Sequence, residues 1–228
     1  GLQTMTLVQA YEQTYEKIPV RLMDDEITVA MLSKEKNILY KLTTRLLGIL
    51  VATSVIIITL PITIITSILI RLEDKREIFY RQLRVGKGHR HFLIWKFQSM
   101  KQNAEAAGAV WAEEKDPRIT KFGRLLRKLH IDEIPQMINI VKGDISLVGP
   151  RPERPEFVEK LEQEIPYYFL RHSITPGFTG WAQIKYRYAR TVDDSQDKFE
   201  YDLYYLKNRN LFLDIGIILK TVQIIFTH

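Results

Sequence analysis

Residues 46–70 read LLGILVATSVIIITLPITIITSILI, 25 consecutive positions without a charged side chain. As a helix rising 1.5 Å per residue the run would reach about 37 Å, enough to cross a hydrocarbon core about 30 Å thick. It is too long, and lies too far into the chain, for a cleaved signal peptide. A helix buried in a soluble core would seldom stay uncharged for so long. The fold is therefore expected to be organised around a membrane segment. Pro61 stands two-thirds of the way along, where it removes a backbone N–H and kinks a helix. Thr53, Ser54, Thr59, Thr63, Thr66 and Ser67 can bond back to the carbonyls that a kink frees. Lys34, Lys36, Lys41 and Arg45 precede the segment; Arg71, Lys75, Arg76, Arg81, Arg84, Lys87 and Arg90 follow it. The positive-inside bias would keep both flanks cytoplasmic. A helix broken at Pro61 that enters and leaves by one face satisfies both observations, and is favoured over a straight span.

The chain has 228 residues, a formal net charge of +6 at pH 7 and no cysteine. Its length suits one sizeable domain, or one domain with an appendage. Without cysteine there is no disulfide framework, thiolate nucleophile or cysteine zinc site. The positive charge suits phosphates, an anionic membrane surface or nucleic acid equally. His89 and His91 form an HxH pair, but their loop, GKGHRH at 86–91, is basic and lacks carboxylates. A solvated loop is favoured there over a metal site.

Working outward, residues 1–32 are polar and mixed, with Leu7, Ala10, Tyr11, Thr14 and Tyr15 allowing one amphipathic helix before Pro19. Residues 27–32 could be a short strand or a helical start. After the segment, 78–82 and 91–97 read as strands around the glycine-rich loop 86–88, whose likelier use is a hairpin turn rather than a phosphate cradle. Residues 99–111 read as a helix, and 156–164 as another ending at Pro166. Residues 175–180 are turn-rich and lead into an expected short strand at 181–184. Tyr186, Tyr188, Tyr201, Tyr204 and Tyr205 could stack a base, pack, or anchor at a membrane interface. Residues 211–226 are strongly apolar but too short to span, so they should lie along the interface or pack on the domain.

The chemistry gathers in residues 116–154, DPRITKFGRLLRKLHIDEIPQMINIVKGDISLVGPRPER. Ile119, Phe122, Leu125, Leu126 and Leu129 recur at three- and four-residue steps and predict one buried helix face, with Lys121, Arg124, Arg127 and Lys128 on the others. IDEIP at 131–135 reads as a helix start, with Asp132 capping and Pro135 in the first turn. Gly143 closes that helix. Adjacent carboxylates Asp132 and Glu133 at a positive helix end, with arginines from both sides, suit an anion with a metal ion, such as a nucleotide diphosphate. The same two residues could instead be an N-cap and a dipole partner only.

KFGRLLRKLHIDEIPQMINIVKGDISLVGPRPERPEF, together with IFYRQLRVGKG, WKFQSM, TPGFTGWAQI and FEYDLYYLKN in the same order, resembles the bacterial sugar transferases. These are the monotopic polyprenyl-phosphate hexose-1-phosphate, or phosphoglycosyl, transferases. The likeness covers about residues 41–226, and its TGWAQ, YDLYYLKN and PERPEF details look most like the exopolysaccharide branch. It implies an α-rich α+β, membrane-associated fold. Residues 1–40 would be the tail of a longer N-terminal region. Residues 41–72 would form a re-entrant helix-break-helix broken at Pro61. Residues 73–228 would form a small cytoplasmic catalytic domain with interfacial amphipathic helices and short strands.

By the same resemblance the enzyme would act on the inner face of the cytoplasmic membrane. It would use a UDP-sugar, a polyprenyl phosphate and Mg²⁺, with oligomer or polysaccharide-assembly partners possible and no nucleic acid. Asp132 and Glu133 would be the catalytic pair, with Glu133 holding the metal. Arg127, Arg151, Lys96 and Arg118 would contact substrate phosphates. Pro150, Pro152, Arg154 and Gln183 would shape the nucleotide site, and Arg45, Thr59 and Pro61 the membrane anchor. Asp132, at a helix N-terminus near Arg127, is expected to be ionised. It would attack the β-phosphorus, expel UMP and carry sugar-1-phosphate to the lipid phosphate. The sequence departs from the family pattern at Leu60, at 73–77, at Thr175 and at 186–190. The last two could alter which sugar nucleotide is accepted. A non-catalytic membrane scaffold that binds anionic lipid or assembly partners is the competing reading.

Overall fold

The structure is a computed structural model that describes residues 7–33, 36–74, 77–101, 104, 116–186 and 191–227. It is helix-rich with two small sheets. Short helices α1 (Leu7–Tyr15) and α2 (Asp25–Ser33) precede the long apolar helix α3 (Ile38–Asp74). Strands β1 (Phe79–Val85) and β2 (His91–Phe97) pair antiparallel, in register from Phe79 opposite Phe97 to Val85 opposite His91. The turn between them holds Gly88 and His89 at φ +61° and +59°, so the GKG stretch is used as a hairpin turn. Then come α4 (Lys121–Lys128), α5 (Gln136–Lys142), β3 (Ser146–Val148), α6 (Pro155–Glu164), β4 (Gly177–Thr179), α7 (Trp181–Lys185), α8 (Val192–Asn208) and α9 (Leu211–Phe226). β3 and β4 pair parallel. The helix expected at 99–111 lies largely outside the described residues.

α3 is long and apolar enough to cross a membrane by length and composition, and most of it is exposed. Helix runs through Pro61 without interruption, where the sequence predicted a break. Side-chain hydroxyls bond back to helix carbonyls on either side of Pro61. Thr59 Oγ1 donates to the Val55 carbonyl at 2.7 Å and Ser67 Oγ to the Thr63 carbonyl at 2.7 Å. Both ends of α3 hold the same body of structure. Near its start, the Arg45 guanidinium donates to the Ile140 and Val141 carbonyls at the end of α5, and Ala52 packs with Met137, Ile140 and Ile145. Near its end, Ile70 packs with Phe97 and Leu126, and Glu73 Oε1 accepts from the Phe122 N–H at 3.3 Å.

The main core joins Leu161, Ile165, Tyr168, Leu170, Phe199, Leu203 and Ile217 from α6, the turn after it, α8 and α9. Ile18 and Val20 complete it, so part of the stretch expected to be a tail is structural. Lys17 pairs with Asp197 and Glu200, and Glu12 with Lys207, on the same seam.

Two expectations are corrected. Residues 181–184 are helix α7 rather than a strand, because extension ends at Gly180, whose carbonyl accepts from the Gln183 and Ile184 N–H groups. α4 does not bury its whole apolar face: Leu126 is in a core, while Leu125 and Leu129 are about half exposed. An eight-residue helix touches the body along one line, and its remaining leucines project outward. Of the readings open for the tyrosines, packing holds for two: Tyr204 stacks on Trp181, and the Tyr205 hydroxyl donates to buried Asp214 at 2.7 Å. Tyr188 lies outside the described residues. α9 packs through Asp214 and Ile217 and leaves Phe212, Ile215, Leu219, Val222 and Ile225 exposed.

Candidate active site

The site grows from the link between α4 and α5. Thr120 Oγ1 caps α4 by accepting from the Gly123 N–H at 2.9 Å. After α4, His130 adopts φ +55° and reverses the chain into a single 3-10 turn, Ile131–Glu133. α5 begins only at Gln136, so Asp132 is not its N-cap. Asp132 is 6% exposed and, among the described residues, its carboxyl accepts no hydrogen bond. The purely structural account of the pair therefore loses its main support, because an aspartate kept for capping would be bonded to backbone N–H groups.

Glu133 is held from two sides. Lys96, on β2, places Nζ 3.0 Å from Glu133 Oε1. Arg151, from the turn after β3, donates through Nη2 to the same oxygen. Oε2 has no partner among the described residues. Burial would raise the Glu133 carboxyl, but Arg151 and Lys96 override it and hold it well below its ordinary value. Burial raises the Asp132 carboxyl, and the Glu133 charge raises it further against Lys96, Arg127 and His130. Burial and Glu133 thus outweigh the lowering that the sequence reading assigned to a helix dipole and Arg127. A 3-10 turn offers little dipole, and the charge that acts most strongly on Asp132 is the Glu133 anion. Two neighbouring carboxyls are driven apart, one anionic and paired, the other buried and raised.

Several residues that position this pair carried no signal in the sequence reading. Asn139, fully buried on α5, accepts from the Trp95 N–H at 3.0 Å and donates to the Leu93 carbonyl at 2.8 Å. It completes the open edge of β2 and fixes the strand that carries Lys96 against the helix that follows Glu133. The only hint was one amide among the apolar residues 137–141. Arg84 on β1 donates to the Pro152 carbonyl at 3.0 Å and lies 3.5 Å from Glu153. Arg171 Nη2 donates to the Arg151 carbonyl at 2.8 Å and pairs with Asp202 at 3.1 Å. Gly149 and Gly177 let the chain beside the two paired strands run in contact: a Cβ on Gly177 would lie 2.1 Å from the Gly149 nitrogen.

The other expected site residues divide. Arg127 is half-buried and acts on Asp132 through its charge. Gln183 Nε2 donates to the Phe178 carbonyl at 3.1 Å, and Arg151 Nη1 reaches the same oxygen at 3.5 Å. Pro150 accepts from the Gly177 N–H at 2.9 Å. Arg154 lies over the Phe157 ring and pairs with Glu156 at 3.3 Å. Arg118 is held by Asp116, with contacts of 2.6 to 3.1 Å, and no ion pair brings it to Glu133. Arg45, Thr59 and Pro61 belong to α3; Arg45 is spent on the carbonyls of α5. His89 lies opposite His172 rather than beside His91. A cavity of about 370 Å³ lies between α3, α5 and α9, lined in part by Tyr40, Lys41, Gly48, Thr175 and Arg209. Asp132, Glu133, Lys96 and Arg151 do not line it.

Comparison with known proteins gives a consistent picture. A family model described as bacterial sugar transferase matches residues 39–228. A UDP-N-acetylgalactosamine-undecaprenyl-phosphate N-acetylgalactosaminephosphotransferase of Aeromonas hydrophila is 46% identical over 189 residues, 83% of this chain and 45% of that protein. A UDP-glucose:undecaprenyl-phosphate glucose-1-phosphate transferase of Escherichia coli (strain K12) is 35% identical over 184 residues, 80% of this chain and 40% of that protein. The chain spans less than half the length of these two relatives.

Proposed function

The chain belongs to the bacterial sugar transferase family, and from that premise we propose that it moves a sugar-1-phosphate from a UDP-sugar to undecaprenyl phosphate and releases UMP. The observation that carries the reading is the separation of Asp132 from Glu133: one buried carboxyl without a described partner beside one anion gripped by Lys96 and Arg151. An Asp132 oxygen forms a bond to the β-phosphorus of the UDP-sugar. The bond from that phosphorus to the bridging oxygen breaks, and UMP leaves with the electron pair. The sugar-1-phosphate is then held on Asp132 as an acyl phosphate. An oxygen of the lipid phosphate attacks it, yielding a lipid diphosphate sugar and returning the carboxylate. Lys96 and Arg151 lie where phosphate oxygens would meet positive charge, and Arg151 is suited to a bidentate grip.

The donor set fits magnesium, a hard ion that takes one or two carboxylates with substrate phosphates. Glu133 would hold it through Oε2, with Asp132 adjacent, and a bound dication would offset charge repulsion between diphosphate and carboxylate. A cation there would also draw the raised Asp132 carboxyl toward the anion that attack requires.

The membrane arrangement follows from α3. A helix standing across a layer about 30 Å thick carries its two ends to opposite faces. One folded body holding Arg45 near one end and Ile70 and Glu73 near the other supports entry and exit by the same, cytoplasmic, face. The exposed apolar residues of α4 and α9 would add interfacial contact. A direct test incubates the chain in lipid nanodiscs with undecaprenyl phosphate, Mg²⁺ and single UDP-sugars, and follows UMP. UDP-N-acetylgalactosamine is the first donor to try, because the relative named for it shares more sequence than the one named for UDP-glucose. UMP release that is equal with Asp132→Asn would overturn the reading. If UMP is absent with every donor, the same screen on the chain joined to an N-terminal region like that of its relatives decides it, and silence there also overturns it.

A further inference from the structure

The tip of the β1–β2 hairpin, α6 and the 3-10 turn Tyr168–Ser173 bring three metal-ligating side chains together. His89 Nε2 lies 3.7 Å from Glu162 Oε1, and His172 Nε2 lies 3.8 Å from the same oxygen. Ligand atoms of all three residues fall within 4.8 Å of one another. The two imidazole rings lie with centroids 4.6 Å apart, tilted by 53°.

A second observation singles out this cluster. His172 is 5% exposed, and its Nε2 is fully buried with no hydrogen-bond partner among the described residues. A buried polar atom left unbonded is costly and calls for an explanation. Here the atom is aimed at a carboxylate oxygen and a second imidazole. His89 also occupies the left-handed region, φ +59°, at the hairpin tip.

We propose that His89, Glu162 and His172 bind one transition-metal dication of the zinc class. Two imidazoles and a carboxylate favour zinc, nickel, cobalt or copper over magnesium and calcium, which prefer oxygen-only sets. Three protein ligands at about 2.0–2.2 Å, with a fourth position for water, is a familiar zinc arrangement. Two such bonds span up to about 4 Å, so ligand atoms 3.7 and 3.8 Å apart close on an ion with small movements. The movement falls on His89 and Glu162, which are exposed, while His172 is fixed in the core. Lys87 and Arg90 flank His89 and weaken the attraction; the Arg171 charge beside His172 is met by Asp202. Occupancy would clamp the hairpin tip to α6. The strands of that hairpin carry Arg84 and Lys96, so the clamp would steady the frame behind Glu133. The site is chemically distinct from the oxygen-only pair at Asp132 and Glu133.

The test uses the full chain in detergent micelles, stripped with chelator and titrated with Zn²⁺ against a chromophoric competitor. One zinc per chain is expected. His89→Asn, which tolerates the left-handed backbone, should weaken binding on the order of 100-fold, and Glu162→Gln about tenfold, at least matching the loss of an outer-shell partner. His91→Ala should bind as the unaltered chain does, and Mg²⁺ in large excess should not displace the zinc. Zinc should raise the melting temperature of the unaltered chain and not that of His89→Asn. Because His172 is buried, the exposed-site variants decide the matter. Equal binding with and without His89→Asn, loss of binding in His91→Ala, or no zinc above that held by a His89→Asn, Glu162→Gln double variant overturns the proposal.

Discussion

Lys96 Nζ lies 3.0 Å from Glu133 Oε1, an ion pair that ties the end of strand β2 to the turn between two helices. Arg151 shares that oxygen. Removing the carboxylate charge leaves two half-buried cations without their anion and takes away the proposed metal ligand. Glu133→Gln should lower the rate of UMP release by roughly 100-fold or more, and should raise the Mg²⁺ concentration needed for half-maximal rate. A magnesium titration of both proteins reads the two effects separately.

Asp132→Asn keeps the shape of the neutral acid and removes a buried group that Glu133 and burial already push toward neutrality. Its stability should therefore match or slightly exceed that of the unaltered chain, while UMP release falls about 1,000-fold or more. A melting curve beside a kinetic trace makes the distinction. A variant that is both inactive and strongly destabilised would speak for a structural role.

Asn139→Leu should unfold more easily with little change in size. It leaves the Trp95 N–H and the Leu93 carbonyl without the amide that now satisfies them at 3.0 and 2.8 Å. The expected loss is about 3 kcal/mol, or a melting temperature lower by about 6–12 °C for a chain of this size.

Glu153 gives the acid limb of stability. Burial would raise its carboxyl, but Lys198, Arg171 and Arg84 bring it down from 4.5 to about 2. The unfolded chain therefore binds a proton that the folded chain refuses between those values. The stabilisation is complete above about pH 4.5 and is lost as pH falls toward 2, on the order of 3 kcal/mol in all. Melting temperatures measured from pH 7 to pH 2 should fall across this window, and Glu153→Gln should start lower at pH 7 and flatten the slope.

The absence of cysteine makes the membrane arrangement easy to probe. Lys36→Cys and Arg71→Cys should both react with a membrane-impermeant thiol reagent added to inside-out vesicles, and neither in intact spheroplasts. One site protected and one labelled from each side would mean a straight span.

Much of the fold could be read along the chain, because local chemistry decides it. Twenty-five uncharged residues require an apolar surrounding whatever they pack on, and the strands read at 78–82 and 91–97 around the loop 86–88 do pair as a hairpin through their own turn. Gly143 ended α5 as expected, at φ +95°. Where neighbours decide, the reading failed. TGWAQI looks extended by composition, but Gly180 converts it into helix α7, and the leucines of α4 are divided between core and surface by what lies opposite them.

The sequence by itself determined that the chain carries an uncharged segment long enough to cross a membrane, an excess of basic residues and an adjacent carboxylate pair, because charge and hydropathy are properties of residues. Tertiary structure alone decided what those carboxylates are. Only folding brings Lys96 from β2 and Arg151 from the turn after β3 onto one oxygen of Glu133. The same folding buries Asp132 beside it without a described partner and pushes two similar acids in opposite directions. It likewise set His89 against His172 rather than His91. Electrostatic effects depend on distance and burial through space, and neither can be read from separation along the chain.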